Sequence, residues 1–192
     1  TNKIIGNYGK IPCDLLCISG GWTPTVHLFT QSKGKLIYRE SDATFVPDKS
    51  FQEEVSVGTC NGTFTLDKII DEIYDKISKL IFDLGGKNEK GNYSSYSKVK
   101  KVFYDKMKHL WIVPSTKHFG KTKMFVDFQN DVTAKDIKLA IKEGYKSIEH
   151  IKRYTTLGMA TDQGKIGNIN ALGIISTLSG VPIHQLGTTT FR

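Results

Sequence analysis

The stretch "KRYTTLGMATDQGK", residues 152–165, gathers side chains able to hold an anion. Arg153 and Lys165 supply charge, Thr155, Thr156 and Thr161 supply hydroxyls, and Gln163 an amide, all around Gly158 and Gly164. An apolar helical pattern follows. Bare N–H groups at a helix start, joined by cationic and hydroxyl donors, suit a phosphate. The same residues also fit a structural reading, in which the threonines cap helices and Arg153 pairs with a carboxylate. Residue types alone do not separate the two.

Two other junctions carry chemistry of a different kind. In "CISGGWTP" and "VSVGTCNGTFTLDKI" an apolar run reaches glycines, and the second feeds a helical pattern. Turns of this sort let backbone approach a dinucleotide in α/β folds. A complete site opens with G-x-G-x-x-G and has an acid about 20 residues on. This chain has no such motif. Either the site is absent or the chain is the later part of a longer domain.

Nucleophile and metal constellations are sparse. His27, His109, His118, His150 and His184 have no H-E-x-x-H or C-x-x-C companions. His150 shares a helical face with Lys146 and Tyr154 and reads as a surface or half-buried residue. Cys13 and Cys17, four apart in a strand pattern, would stand about 13 Å apart, beyond disulfide reach. Cys60 sits at a turn and is expected to be buried. Asp67, Asp71, Glu72 and Asp75 read as a solvated helix face, with Lys76 four residues after Glu72. No apolar run approaches the roughly 18–20 residues of a membrane span, and "TNKIIGNYGK" does not read as a signal peptide. A reduced, cytoplasmic protein is the simplest expectation.

The net charge of +8 invites a nucleic-acid reading, but its location argues against one. Ten lysines and two acids between Lys87 and Lys123 carry the whole excess. Tyr93, Tyr96, Phe103, Tyr104 and Trp111 interleave with them, as in single-strand binders. Arginine, the residue preferred for bidentate phosphate and base contacts, is missing from the stretch. We read it as a solvated or acid-partner-facing connection.

These groups must be positioned by the elements around them. Apolar spacing predicts strands at Cys13 to Ser19 and in "EEVSVGTCNG", and a short extended piece at "HLFTQ". A hairpin joins "GKLIYRE" to "ATFVPD" with Asp42 in its turn. Leu66, Ile69, Ile70, Ile73, Ile77, Leu80, Ile81 and Leu84 repeat at 3.6 residues, so a helix runs from Leu66 to Leu84 between a Thr65 cap and Gly85-Gly86. "HLWIVP" and "KMFVDF" read as strands. "TAKD" reads as a capping box opening a helix with Ile137, Ala140 and Ile141 inward. Ser147 caps another with Ile148, Ile151 and Tyr154 inward, and a last helix spans Asn168 to Leu178. The fold class expected is α/β followed by a small all-α part.

Three long stretches make the chain recognisable: "CDLLCISGGWTPTVHLFTQSKGKL", "FVDFQNDVTAKDIKLAIKEGYKSIEHIKRYTTLGMATDQGK" and "GTTTFR". They closely resemble the alpha subunit of heterotetrameric sarcosine oxidase, least from Gly86 to Leu110. The resemblance implies an internal piece of a much longer subunit. Residues 1–85 would end an NAD-binding domain of glutathione-reductase-like fold, and 86–125 would be the lysine-rich connection and strands. Residues 126–187 would form a small helical domain, and 188–192 would begin a linker to a folate-binding domain. Cys17, Gly20, Gly21, Trp22, Thr23 and Pro24, with Gly58, Thr59, Cys60 and Gly62, would edge a partial NAD site. Trp22 stands where many relatives of that fold carry arginine, which points to a structural NAD.

The helical part is similar to domains that bind a [2Fe–2S] cluster through a C-x-C and a "GMxxCQGxxC" loop. The four cysteine positions correspond to Asp127, Gln129, Asp162 and Gly167, so no cluster is expected, since clusters need thiolates. The loop would instead help hold flavin mononucleotide at the alpha–beta interface, with Arg153, Thr155, Thr156, Gln163 or Lys165 near its phosphate. FAD and tetrahydrofolate would bind elsewhere in the complex, and the beta, gamma and delta subunits would be the partners. The implied activity is oxidation of sarcosine to glycine with peroxide formation, and no catalytic residue is expected on this chain. A related proline or opine dehydrogenase alpha subunit is the alternative, though those generally keep the cluster cysteines.

Overall fold

The computed structural model describes residues 5–6, 9–87 and 108–188. The segments 88–107 and 189–192 lie outside them, and with them Tyr93, Tyr96, Phe103, Tyr104 and most of "GTTTFR". Two compact units are present: residues 22–87 form one, and residues up to Gly21 with 108–188 form the other. Both contain helices, and each has a two-stranded antiparallel sheet. The result is a mixed α/β chain, as expected in outline. No helix among the described residues is long and apolar enough to cross a membrane.

In the 22–87 unit, "HLFTQ" is helical rather than extended: α1 spans His27–Gln31. The Thr30 and Ser32 N–H groups bond the Val26 and Leu28 carbonyls at 3.0 and 3.1 Å. Five residues are too few for periodicity to choose between helix and strand. The buried Phe29 decides it by packing its ring against Gly34, where no Cβ would fit. The expected hairpin forms, β1 (Lys35–Arg39) pairing with β2 (Thr44–Lys49). Tyr38 lies opposite Phe45, ring centroids 5.1 Å apart, a stabilising cross-strand pair. Val26, Phe29, Ala43, Phe45 and Val46 make the core.

Helix α2 spans Leu66–Asp83, as the periodicity predicts. Gly85 and Gly86 stop it, their N–H groups returning to the Phe82 and Ile81 carbonyls at 3.0 and 2.8 Å. Its apolar stripe is half exposed, and none of its residues is buried.

The strand expected at 13–19 does not form. Leu15, Leu16 and Ile18 are 72–84% exposed and pair with no other strand among the described residues. The run at 53–57 is likewise unpaired and leads into a 3₁₀ turn, Gly58–Asn61. An apolar run becomes a strand only where a partner takes its backbone groups. Cys60, expected to be buried, is exposed, as are Cys13 and Cys17.

The other unit has a fuller core. β3 (Phe125–Asp127) pairs with β4 (Val132–Thr133), which opens α3 (Ala134–Lys142). The capping box is present: the Thr133 N–H donates to Asp136 Oδ2 at 2.8 Å and the Asp136 N–H donates to the Thr133 side chain, whose hydroxyl also donates to Oδ2 at 2.6 Å. α4 spans Ile148–Thr155, α5 Asn168–Ser179 and α6 Ile183–Leu186. Ile137, Ala140, Ile148, Ile151, Leu157, Ala171, Leu172, Ile174 and Ile175 are buried together around α5. That helix is apolar on most sides, as a central helix must be.

Two inward assignments fail. Ile141 is only partly buried, and Tyr154 is 44% exposed, its ring tilted against Tyr145 at 4.8 Å. "HLWIVP" forms no strand. Its Trp111 ring lies directly on Gly173, occupying the space a Cβ would need.

Candidate functional site

The 58–62 turn is built around two glycines in the left-handed region, Gly58 at φ +66° and Gly62 at φ +74°. Two ionised side chains hold it, and sequence reasoning missed both. From the hairpin, Arg39 donates Nε to Asp42 Oδ1 (2.8 Å), and its Nη2 donates to Asp42 Oδ2 (2.5 Å) and to the Gly62 carbonyl (2.7 Å). The bond to Asp42 raises the Arg39 pKa. Burial pulls the Asp42 carboxyl upward, but Arg39 and neighbouring hydroxyls outweigh it and hold it below its usual value.

From α2, Glu72 Oε2 accepts from Gly58 N at 3.0 Å, while Oε1 accepts from Asn61 Nδ2 at 2.5 Å and pairs with Lys76 at 3.0 Å. Lys76 also donates to the Ser56 carbonyl at 2.8 Å. Glu72 is therefore not part of a solvated face. Its side chain is 14% exposed. Burial raises its pKa, yet the bonds from Lys76, Asn61, Thr63 and Gly58 N bring it below the ordinary value. The one legible signal was the Glu72–Lys76 spacing.

Of the residues expected at an NAD edge, Gly58 and Gly62 are buried in this turn, and Thr59 and Cys60 face solvent on it. The Gly58 N–H, which a phosphate could have taken, is occupied by Glu72. Trp22 and Thr23 are exposed and Pro24 buried in the same unit. Cys17, Gly20 and Gly21 are exposed and belong to the other unit.

In the helical unit, the 156–167 loop follows α4 and precedes α5. Thr156, Gly158, Gln163 and Gly164 all have positive φ, so the loop is a series of tight turns. Three of the candidate side-chain donors are already engaged by nearby carbonyls. The Thr155 hydroxyl donates to the Ile151 carbonyl (2.7 Å), Thr156 to its neighbour's carbonyl (2.6 Å), and Gln163 Nε2 to the Ala160 carbonyl (2.9 Å). Arg153 and Lys165 are exposed. Thr161, the third candidate hydroxyl, is exposed as well.

The four positions aligned with cluster cysteines do not fit an iron–sulfur cluster. Asp127 is 7% exposed and both its oxygens are engaged: Oδ1 accepts from Gln129 N (2.9 Å) and Asn130 N (3.1 Å), Oδ2 from Gly158 N (2.8 Å). Asp162 Oδ2 accepts from Ile166 N at 3.3 Å. Gln129 is exposed, and at Gly167 a Cβ would lie 2.7 Å from the Val126 carbonyl oxygen. Carboxylate, amide and glycine offer none of the thiolates such a cluster requires.

The chain is similar to known proteins in sequence and in fold. Residues 121–192 match the family model described as the sarcosine oxidase A3 domain. The chain is 36% identical to sarcosine oxidase subunit alpha of Rhizobium meliloti (strain 1021), an alignment covering 97% of the chain and 18% of that protein. It is 31% identical to the subunit of the same name from Corynebacterium sp. (strain P-1), over 100% of the chain and 20% of the relative. The chain thus spans about a fifth of the length of these relatives. Among solved structures, L-proline dehydrogenase from P. horikoshii superposes with a TM-score of 0.62 at 18% identity, covering 90% of this chain and 35% of that one. That likeness is one of fold.

Proposed function

We propose that this chain, similar along nearly all its length to part of sarcosine oxidase subunit alpha, serves as a segment of such a subunit in an amine-oxidising complex. The observation that carries the reading is the identity of 36% over 97% of the chain. In the reaction proposed for the whole complex, sarcosine, oxygen and water give glycine, hydrogen peroxide and a one-carbon unit. Tetrahydrofolate would accept that unit on another part of the parent. The oxidising groups would lie on another subunit, and this segment would scaffold them.

Within that role the 58–62 turn would border a nicotinamide dinucleotide. Thr59 and Cys60 are the exposed side chains available to face it, since Glu72 already uses the Gly58 N–H. Arg153 and Lys165 would neutralise the phosphate of a flavin mononucleotide shared with the beta subunit. One exposed cation before a tightly turned loop and one within it suit a charged group arriving from outside.

The deciding experiment measures peroxide from sarcosine by the full-length parent co-expressed with its partner subunits, with and without tetrahydrofolate. Peroxide, plus methylene-tetrahydrofolate when folate is present, supports the reading. Reduction of an artificial acceptor by another amino acid, without peroxide, transfers the chain to the dehydrogenase branch. A double Arg153→Ala, Lys165→Ala variant that keeps its full flavin content would remove the phosphate assignment alone.

A further inference from the structure

We propose that Asp127 and Asn168, which both bear on Gly158, together hold the 156–167 loop shut, with Asp127 standing at one of the positions where the related cluster-binding domains carry a cysteine. Three segments meet there: the 127–131 turn, the loop, and the first residue of α5. The Asp127 carboxylate closes its own turn through Gln129 N and Asn130 N and reaches 31 residues along the chain to Gly158 N. A carboxylate buried to 7% exposure is tolerable only when its lone pairs are filled, and here backbone N–H groups from both segments fill them. Asn130 Nδ2 adds a parallel tie to the Thr156 carbonyl at 2.8 Å.

Asn168 supplies the other half. It is 5% exposed, and its amide packs against both loop glycines. A Cβ on Gly164 would collide with that amide, and one on Gly158 would sit 2.5 Å from its Oδ1. The interior of the loop is therefore filled by a side chain of the same polypeptide. At Gly167 the Val126 carbonyl leaves no room for a Cβ. Because the centre consists of side chains and backbone, loop closure needs no added ligand.

Trypsin tests this with sites the chain already has. Lys165 lies in the loop and is exposed, while Lys138 lies on α3 and reports opening of the whole unit. Proteolysis of a transiently opened segment tracks its open population. Asp127→Asn keeps the shape but loses the charge and one acceptor oxygen, and Asn168→Ala empties the loop interior. In the full-length protein each should speed cleavage after Lys165 at least about tenfold relative to cleavage after Lys138, the equivalent of losing one charge-assisted bond. Treatment of the unmutated protein with a chelator should leave Lys165 cleavage unchanged. Unchanged cleavage in both variants would overturn the proposal. So would equal acceleration at both sites, which signals general destabilisation, or opening of the loop by the chelator, which would place a metal there.

Discussion

Replacing Glu72 with alanine should release the 58–62 turn from α2, and the structure sets the size of the effect. The Glu72 carboxylate accepts from Gly58 N and Asn61 Nδ2 and pairs with Lys76. A hydrogen bond to a charged group contributes about 1.5–3 kcal/mol, and a buried N–H left without an acceptor costs a similar amount. The Lys76 pair adds no more than about 1 kcal/mol, because Lys76 is 35% exposed. Allowing for non-additivity, Glu72→Ala should cost about 3 kcal/mol locally, roughly a hundredfold in the opening equilibrium. Glu72→Gln keeps one acceptor oxygen and should cost about 1 kcal/mol.

The pH dependence follows from the depressed pKa. The unfolded chain binds this proton near the ordinary value of 4.5, and the folded chain holds it less tightly. The stabilisation is therefore complete above 4.5 and disappears as pH falls through the lower folded value. Native-state hydrogen exchange over Gly58–Asn61, corrected for intrinsic rates, reads both effects. If Glu72→Ala leaves protection within about threefold of the unmutated protein, the anchoring argument fails. If Glu72→Gln retains the acid dependence, another group is responsible.

Other substitutions probe packing that opposes local preference. Gly173→Ala should raise helix propensity by about 1 kcal/mol but force the Trp111 ring away at a typical overpacking cost of about 1–3 kcal/mol. Net destabilisation in urea is expected, with the sign reversing in a Trp111→Ala background. Gly164→Ala combines a left-handed φ, about 1–2 kcal/mol for an L-residue, with collision against Asn168. A fall in melting temperature of several degrees would register it, and an unchanged melting temperature would contradict the packed loop interior. Arg39→Lys keeps the charge but loses the two-pronged grip on Asp42 and the reach to the Gly62 carbonyl. It should cost about 1 kcal/mol by urea unfolding, whereas a neutral result would mean the fork adds nothing beyond charge.

Local rules were enough for part of this molecule. The limits of α2, the hairpin joining residues 35–39 to 44–49, the capping box at Thr133 and Asp136, and the helices after Ser147 and at Asn168 were all legible. A helix satisfies its own backbone within four residues, so periodicity determines it without reference to the rest of the chain, even though the expected caps Thr65 and Ser147 stand at the helix starts without making a side-chain cap bond. The family likeness was legible for a similar reason, since long contiguous motifs are properties of order alone.

What tertiary structure decided is what depends on a distant partner. "CDLLCIS" has the composition of a buried strand but no neighbour among the described residues, so it stays unpaired and exposed. "HLWIVP" was equally strand-like, yet Trp111 serves α5. Glu72 looked like one acid among four on an outer face until the 58–62 turn folded back onto it. The resemblance set Asp127 beside the 156–167 loop but not its bond to the Gly158 N–H, and nothing near Asn168 announces that its amide fills that loop. A side chain's chemistry is written in its own residue, but its burial and its hydrogen-bond partners come from chain brought near by folding, and these decide what that chemistry is used for.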